Sequence, residues 1–286
     1  MAHPTWHRGA LAPSRLLRRV VERAEQLGTN SLESGQVIRV ERKVLALSQA
    51  VFGAESRVTT GAKALLAETL DRDGQSSEAL VLRTEGLDAK VRHRGEAHAD
   101  SLVSELRLAG MLAASKQNRQ AKRHLRHVVA ETRLRPDVDI DVTLAAMYQL
   151  GRLYLEEGKA KKAQAMLEPA LVGFRAKHGD SHEDTWRAAS SLAVALGRQD
   201  EFDAAISILR QLLALEGDVL DVDDPDLVAT RWQLAEWLHR QGEYAEAETL
   251  ATSVLASKVR RYGYAHEEST AVRSLLAGIF ASSTRP

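Results

Sequence analysis

No cysteine occurs in this chain. That absence excludes a disulfide framework, a thiolate zinc site and a cysteine nucleophile, and it suits an intracellular, cytoplasmic protein. No run of about 18 apolar residues occurs either, which argues against a membrane-spanning helix. The opening MAHPTWHRGA has no apolar core of the kind a secretory signal needs. Neither charge is in excess, because 39 Lys and Arg balance 39 Asp and Glu. A neutral balance argues against nucleic acid as partner, since that binding needs surplus cation to displace counterions; a local basic surface stays open. There are only six prolines, so long stretches can run as unbroken helix.

The chemical motifs of common enzymes are missing too. Neither GxxxxGK[ST] nor GxGxxG is present, so no phosphate loop is expected. There is no GxSxG nucleophile elbow and no HExxH pair. Ten histidines include the close pairs His93/His98, His124/His127 and His178/His182. A zinc site needs three or four ligands converging on one point, so these pairs read as structural. The five Asp of DVLDVDDPD read as a solvated acidic loop. We expect no catalytic set, no metal, no cofactor and no enzyme activity.

What the chain does have is a period. Residues Val228–Ser269 hold two helical patterns joined at Gly242. Each pattern carries a single apolar stripe, so the pair cannot bury itself alone. Steps of 42 residues carry its leucine through Leu66, Leu108, Leu150, Leu192, Leu234 and Leu276. The next position is always small: Ala67, Ala109, Gly151, Ala193, Ala235 and Ala277. Three residues further on it is always large and apolar: Leu70, Leu112, Tyr154, Leu196, Leu238 and Phe280. In the second helix Ala79, Ala121, Ala163, Ala205 and Ala247 keep phase. A turn marker runs through Gly53, Gly95, Asp137, Gly179, Asp221 and Gly263. Asp100, Asp184 and Asp226 stand in phase before first helices and are expected as N-caps.

These columns divide the chain. Residues 1–13 are expected as a flexible arm and 14–56 as a degenerate first repeat, whose helix Ser14–Leu27 carries Arg15, Arg18, Arg19 and Arg23. Residues 57–269 make five repeats of 42 residues, and 270–286 a capping helix and tail in which Leu276 and Phe280 cover the last pair. Terminal repeats are often atypical because one side faces water.

The combination of small residue, Leu, large apolar residue, turn glycine and early Ala resembles the tetratricopeptide repeat. The period of 42 resembles the kinesin-light-chain-like subtype, longer than the usual ~34. The in-phase His98, His182 and His266 stand where that subtype carries a His-Pro pair, and Asp224-Pro225 fills the slot once. The resemblance implies an all-α fold, a right-handed α-solenoid of antiparallel helix pairs. It also implies that first helices line a concave groove. Its positions here are Arg107; Tyr148, Gln149 and Arg152; Arg187, Ser190 and Arg198; and Trp232, Gln233, Glu236, His239 and Arg240. Where the subtype favours paired Asn, this chain has Tyr148-Gln149, Ser190-Ser191 and Trp232-Gln233.

The expected function is a non-enzymatic interaction module that holds a protein or peptide partner in this groove, with no membrane and no nucleic acid involved. Arg152, Arg187, Arg198 and Arg240 would favour an acidic partner, because the guanidinium fork pairs two carboxylate oxygens at once. The alternative is a regulatory sensor or transcription-associated adaptor whose peptide alters the superhelix. Neither the partner's identity nor an oligomeric state is written in the sequence.

Overall fold

Apolar stripes with a spacing of three and four bury best as helix against helix. The computed structural model describes residues 34–284, and among them there are twelve helices and no strand. The expected arm, the basic helix Ser14–Leu27 and the last two residues lie outside that range. In chain order the helices are α1 (Ser34–Phe52), α2 (Arg57–Arg72), α3 (Ser76–Arg94), α4 (Ala99–Ala114), α5 (Asn118–Thr132) and α6 (Ile140–Glu156). They continue with α7 (Ala160–His178), α8 (Glu183–Gly197), α9 (Phe202–Gly217), α10 (Pro225–Gln241), α11 (Tyr244–Tyr262) and α12 (Glu267–Ser283). None is long and apolar enough to cross a membrane.

The helices fall into two compact units that divide after Val142. In the first, α1 to α5 each pack on the next in sequence. In the second, α7 to α12 do the same, α6 packs on α7, and α8 also touches α10. The repeating columns explain this packing. The six phased leucines from Leu66 to Leu276 are all buried, each stabilising its unit by roughly 1.5–3 kcal/mol relative to exposure. The second-helix alanines Ala79, Ala121, Ala163, Ala205 and Ala247 are all 0% exposed. The reason for the small column shows at Gly151, where an added Cβ would lie 2.6 Å from Leu167 Cγ on α7. Helices this close admit no larger side chain without a shift.

Within each pair the turn is left-handed at one residue, and that residue recurs every 42 positions. It is Gly74 (φ 82°), Lys116 (φ 60°), Gly158 (φ 70°), Asp200 (φ 63°) and Gly242 (φ 93°). Only glycine takes this region without a steric penalty. Between pairs the marker glycines Gly53, Gly95, Gly179 and Gly263 also have φ of 84–91°. They end helices of 19 residues. Where the marker is Asp137 or Asp221, the preceding helix stops earlier, after 15 or 16 residues.

The caps lie two residues before the positions expected from the sequence. His98, His182 and His266 accept, through Nδ1, the backbone N–H of Asp100, Asp184 and Glu268 at 3.1–3.2 Å. Asp224 does the same for Asp226 at 2.9 Å, with Pro225 opening α10. Asp100, Asp184 and Asp226 sit instead in the first turn, where a carboxylate complements the helix dipole. The His182 ring stacks on His178 at 4.4 Å and the His266 ring on Tyr262 at 4.8 Å, so the spacing that suggests a metal pair is a ring stack. Behind the caps, Thr59, Thr185 and Ser269 are buried and donate their hydroxyls to the carbonyls of Gly53, Gly179 and Gly263 at 2.8 Å.

Of the two residues expected to cover the last pair, Leu276 is buried and Phe280 is not. Val272, Leu276 and Ile279 are buried, whereas Phe280 is 49% exposed and Ala277 is exposed. Positions 277 and 280 belong to the columns that meet a second helix in every other pair. No such helix follows α12 among the described residues, so both stay open.

Candidate functional site

The second unit contains a pocket of about 130 Å³ built by three first helices and the end of a second. Tyr148 comes from α6; Glu183, Trp186, Arg187, Ser190 and Ser191 from α8; Asp226, Ala229 and Thr230 from α10; Glu216 from the last turn of α9. Helical spacing explains the selection, because Glu183, Trp186, Arg187, Ser190 and Ser191 fall three and four apart on one face. Across the α8–α10 seam the Ser190 hydroxyl donates to Gln233 Oε1 at 3.2 Å.

Glu216 is the pocket's buried acid, 2% exposed, with Oε2 lacking any hydrogen-bond partner. Burial pushes its carboxyl up to about 7. A hydrogen bond from Thr230 opposes the shift, Asp226 and Asp224 add repulsion, and Arg231 offsets part of it. The indole N–H of half-buried Trp186 is likewise unpartnered. Buried donors and acceptors without partners are uncommon in folded proteins. A pocket holding one of each can therefore bind a ligand that supplies both complements.

Of the residues expected in a groove, Tyr148, Arg187 and Ser190 meet in this pocket, and Gln233 is bonded at its edge. Exposed Arg152 stands over the Tyr148 ring at 5.9 Å. Half-buried Gln149 has an unpartnered Oε1. The others lie outside the lining. Arg198, at the C-cap of α8, donates to the Leu155 carbonyl in the last turn of α6 at 2.6 Å. Arg240 pairs with Glu236 at 3.3 Å and lies over the Trp237 ring at 5.0 Å. Arg187 pairs with Glu183, one turn earlier on α8. His239 packs against Tyr244 with ring centroids 5.9 Å apart, and Trp232 is half-buried on α10. Trp186, Glu216 and Thr230 were not expected here. Trp186 shares the α8 face of Arg187 and Ser190, a signal present in the helical spacing. Nothing local marks Glu216 as buried.

Arg107 belongs to the first unit. Its charge, with burial as the larger cause, pushes buried Arg83 and half-buried Lys90 below their ordinary range. Lys90 donates to Ser104 Oγ at 2.6 Å and, with Arg94, lines a wider recess of about 490 Å³. The pair His124 and His127 is accounted for by Glu105, a buried carboxylate that both rings hold, at 2.9 and 2.7 Å. No cluster of three metal-ligating side chains occurs among the described residues.

Tetratricopeptide-repeat family models match residues 142–216 and 229–268. No curated protein sequence matches the chain. A structure from Podosopora anserina, described as a kinesin light chain with nearly identical TPR-like repeats, is similar with a TM-score of 0.62 at 21% identity, over 73% of this chain and 98% of that one. BtubC from P. vanneervenii gives 0.63 at 15% identity, over 90% and 95%. PilF of Pseudomonas aeruginosa gives 0.60 at 18% identity, over 90% and 98%. At these identities the likeness is one of fold.

Proposed function

Since the chain belongs to the tetratricopeptide-repeat superfamily, we propose that it acts as a protein-binding scaffold, holding a segment of a partner protein against α6, α8 and α10. The observation that carries this reading is the pocket itself. Three successive first helices contribute to it, and it keeps a buried acceptor on Glu216 and a buried donor on Trp186 without partners. A bound segment would satisfy both. The scaffold works without a cofactor and without chemistry of its own, among cytoplasmic partners.

Of the four arginines behind the expected acidic preference, three are already engaged, and the fourth, Arg152, lies over the Tyr148 ring. Arg187 and Arg240 already pair with Glu183 and Glu236, and Arg198 is held by a backbone carbonyl. An acidic ligand would have to break those contacts before making its own.

A photo-reactive side chain placed at Ala229, exposed at the pocket rim, should capture a discrete partner in cells. The same group at Ala204, exposed on α9 and not part of the lining, should not. Adducts from Ala204 alone, or equally from both, would remove the pocket face as the binding surface.

A further inference from the structure

We propose that the pocket of the second unit receives a primary ammonium group, the side-chain tip of a lysine on the partner segment. This rests on the scaffold reading above and deepens it. Among the lining residues, three carboxylates (Glu183, Glu216 and Asp226) face one guanidinium, Arg187. Arg187 is paired with Glu183, which leaves Glu216 and Asp226 uncompensated inside the lining. Nearby Asp224 adds to their field and Arg231 subtracts from it. The buried and unpartnered Glu216 Oε2 marks where a donor belongs.

The walls suit the same guest. Trp186 lines the pocket, and aromatic faces attract ammonium ions, most strongly where water is excluded; the Tyr148 ring beside it already carries Arg152. A volume of about 130 Å³ accepts an alkylammonium tip and not a folded element. A lysine in a peptide also brings backbone carbonyls, which the unpartnered Trp186 N–H can use. An anion fits badly, because it would meet Glu216 and Asp226 with Arg187 already engaged. The raised carboxyl of Glu216 agrees with this reading, since an entering cation relieves the burial and repulsion that hold its proton. Binding should therefore release a proton near neutral pH.

The test uses the full chain labelled with ¹⁵N, the Trp186 indole resonance assigned with Trp186→Phe, and Nα-acetyl-lysine methylamide as probe. At pH 8 the probe should shift that resonance saturably, with a dissociation constant on the order of millimolar. The Nε-acetylated probe and Nα-acetyl-glutamate methylamide should leave it in place. Glu216→Gln and Asp226→Asn, with helicity checked by circular dichroism, should each weaken the lysine probe about tenfold, the scale of a lost charge pair. Lowering the pH from 8 to 6 should weaken it as Glu216 gains its proton. Equal shifts from the lysine and glutamate probes, or from the acetylated lysine, would overturn the proposal, as would no shift in the millimolar range. If the lysine probe fails while Ala229 still captures a partner, the ammonium site falls and the scaffold reading stands. If the probe binds and no partner is captured at Ala229, the scaffold reading falls instead.

Discussion

One repeat position carries opposite charges along the chain, with Lys90 in the first unit and both Glu216 and Lys258 in the second. Three 42-residue steps separate Lys90 on α3 from Glu216 on α9, and both sit near the end of a second helix beside the following first helix. Lys90 is pushed below its ordinary range, chiefly by burial and then by Arg107, Arg83 and Arg94 against the opposing pull of Asp100. Glu216 is pushed up to about 7, again chiefly by burial. The packing columns on either side hardly differ between units, so the scaffold tolerates either sign at the same place. What recognises a ligand is thus separable from what folds the helices. A second column shows a contrast in the core: Arg83 takes the place of Leu125 in its own unit and of Leu167 and Leu209 in the other, all three 0% exposed.

That second column gives the largest expected effect. Leu209→Arg should destabilise the second unit by roughly 3–5 kcal/mol, because it buries a charge with no partner. The reciprocal Arg83→Leu should be neutral or add about 1–2 kcal/mol, since replacing a buried charge by an apolar side chain is often stabilising. Urea unfolding of the full chain, followed by tryptophan fluorescence and circular dichroism, reads both, and non-coincident transitions would report units that melt separately. Equal losses from the two substitutions would show that Arg83 is an integral member of its core.

The next effect isolates Glu216. A carboxyl whose pKa rises on folding from 4.5 to about 7 holds its proton more tightly in the folded chain. Its contribution is most favourable below pH 4.5, falls as pH rises between the two values, and above about 7 leaves the fold about 3 kcal/mol worse off. Glu216→Gln should therefore stabilise the protein at pH 8, by up to about 3 kcal/mol, and have little effect at pH 4. Urea midpoints at four pH values would show it. A pH-independent difference would mean that the gain comes from packing and not from the charge.

The smallest effect concerns the intra-pair turns. Lys116 and Asp200 occupy a left-handed position filled by glycine at the other members of the column. Lys116→Gly should stabilise the first unit by about 1 kcal/mol. Asp200→Gly should gain less, because a short polar side chain tolerates that region. A loss at either site would place the two turns in an unstrained geometry.

Much of the fold is legible in the amino-acid order because each column answers a local need. Leu66 to Leu276 mark the stripe, Ala79 to Ala247 the close approach, and Gly242 the turn. The caps stand two residues before the in-phase Asp100, Asp184 and Asp226, which have cap chemistry in the sequence, because His98, His182 and His266 carry a less familiar acceptor in Nδ1. The engagement of two arginines was also present in the order, since Glu183/Arg187 and Glu236/Arg240 are four residues apart. The burial of Glu216 is announced only by its column, in which Phe174 and Thr132, one and two steps of 42 earlier, are buried too, while its charge points the other way.

The buried hydroxyls of Thr59, Thr185 and Ser269 have a consequence for how such a chain can change. Each reaches the carbonyl of a glycine six residues back, across a connector of fixed span. Inserting one residue there would rotate the hydroxyl off its acceptor and turn the next helix by about 100°, carrying its apolar stripe away from the core. The two connectors marked by Asp137 and Asp221 take another route, since the helix before each stops early and the loop takes up the residues it gives back. Helix length and loop length vary along this chain while their total does not. The repeat counts residues rather than turns of helix, so lengthening or shortening is tolerated only in whole units of 42.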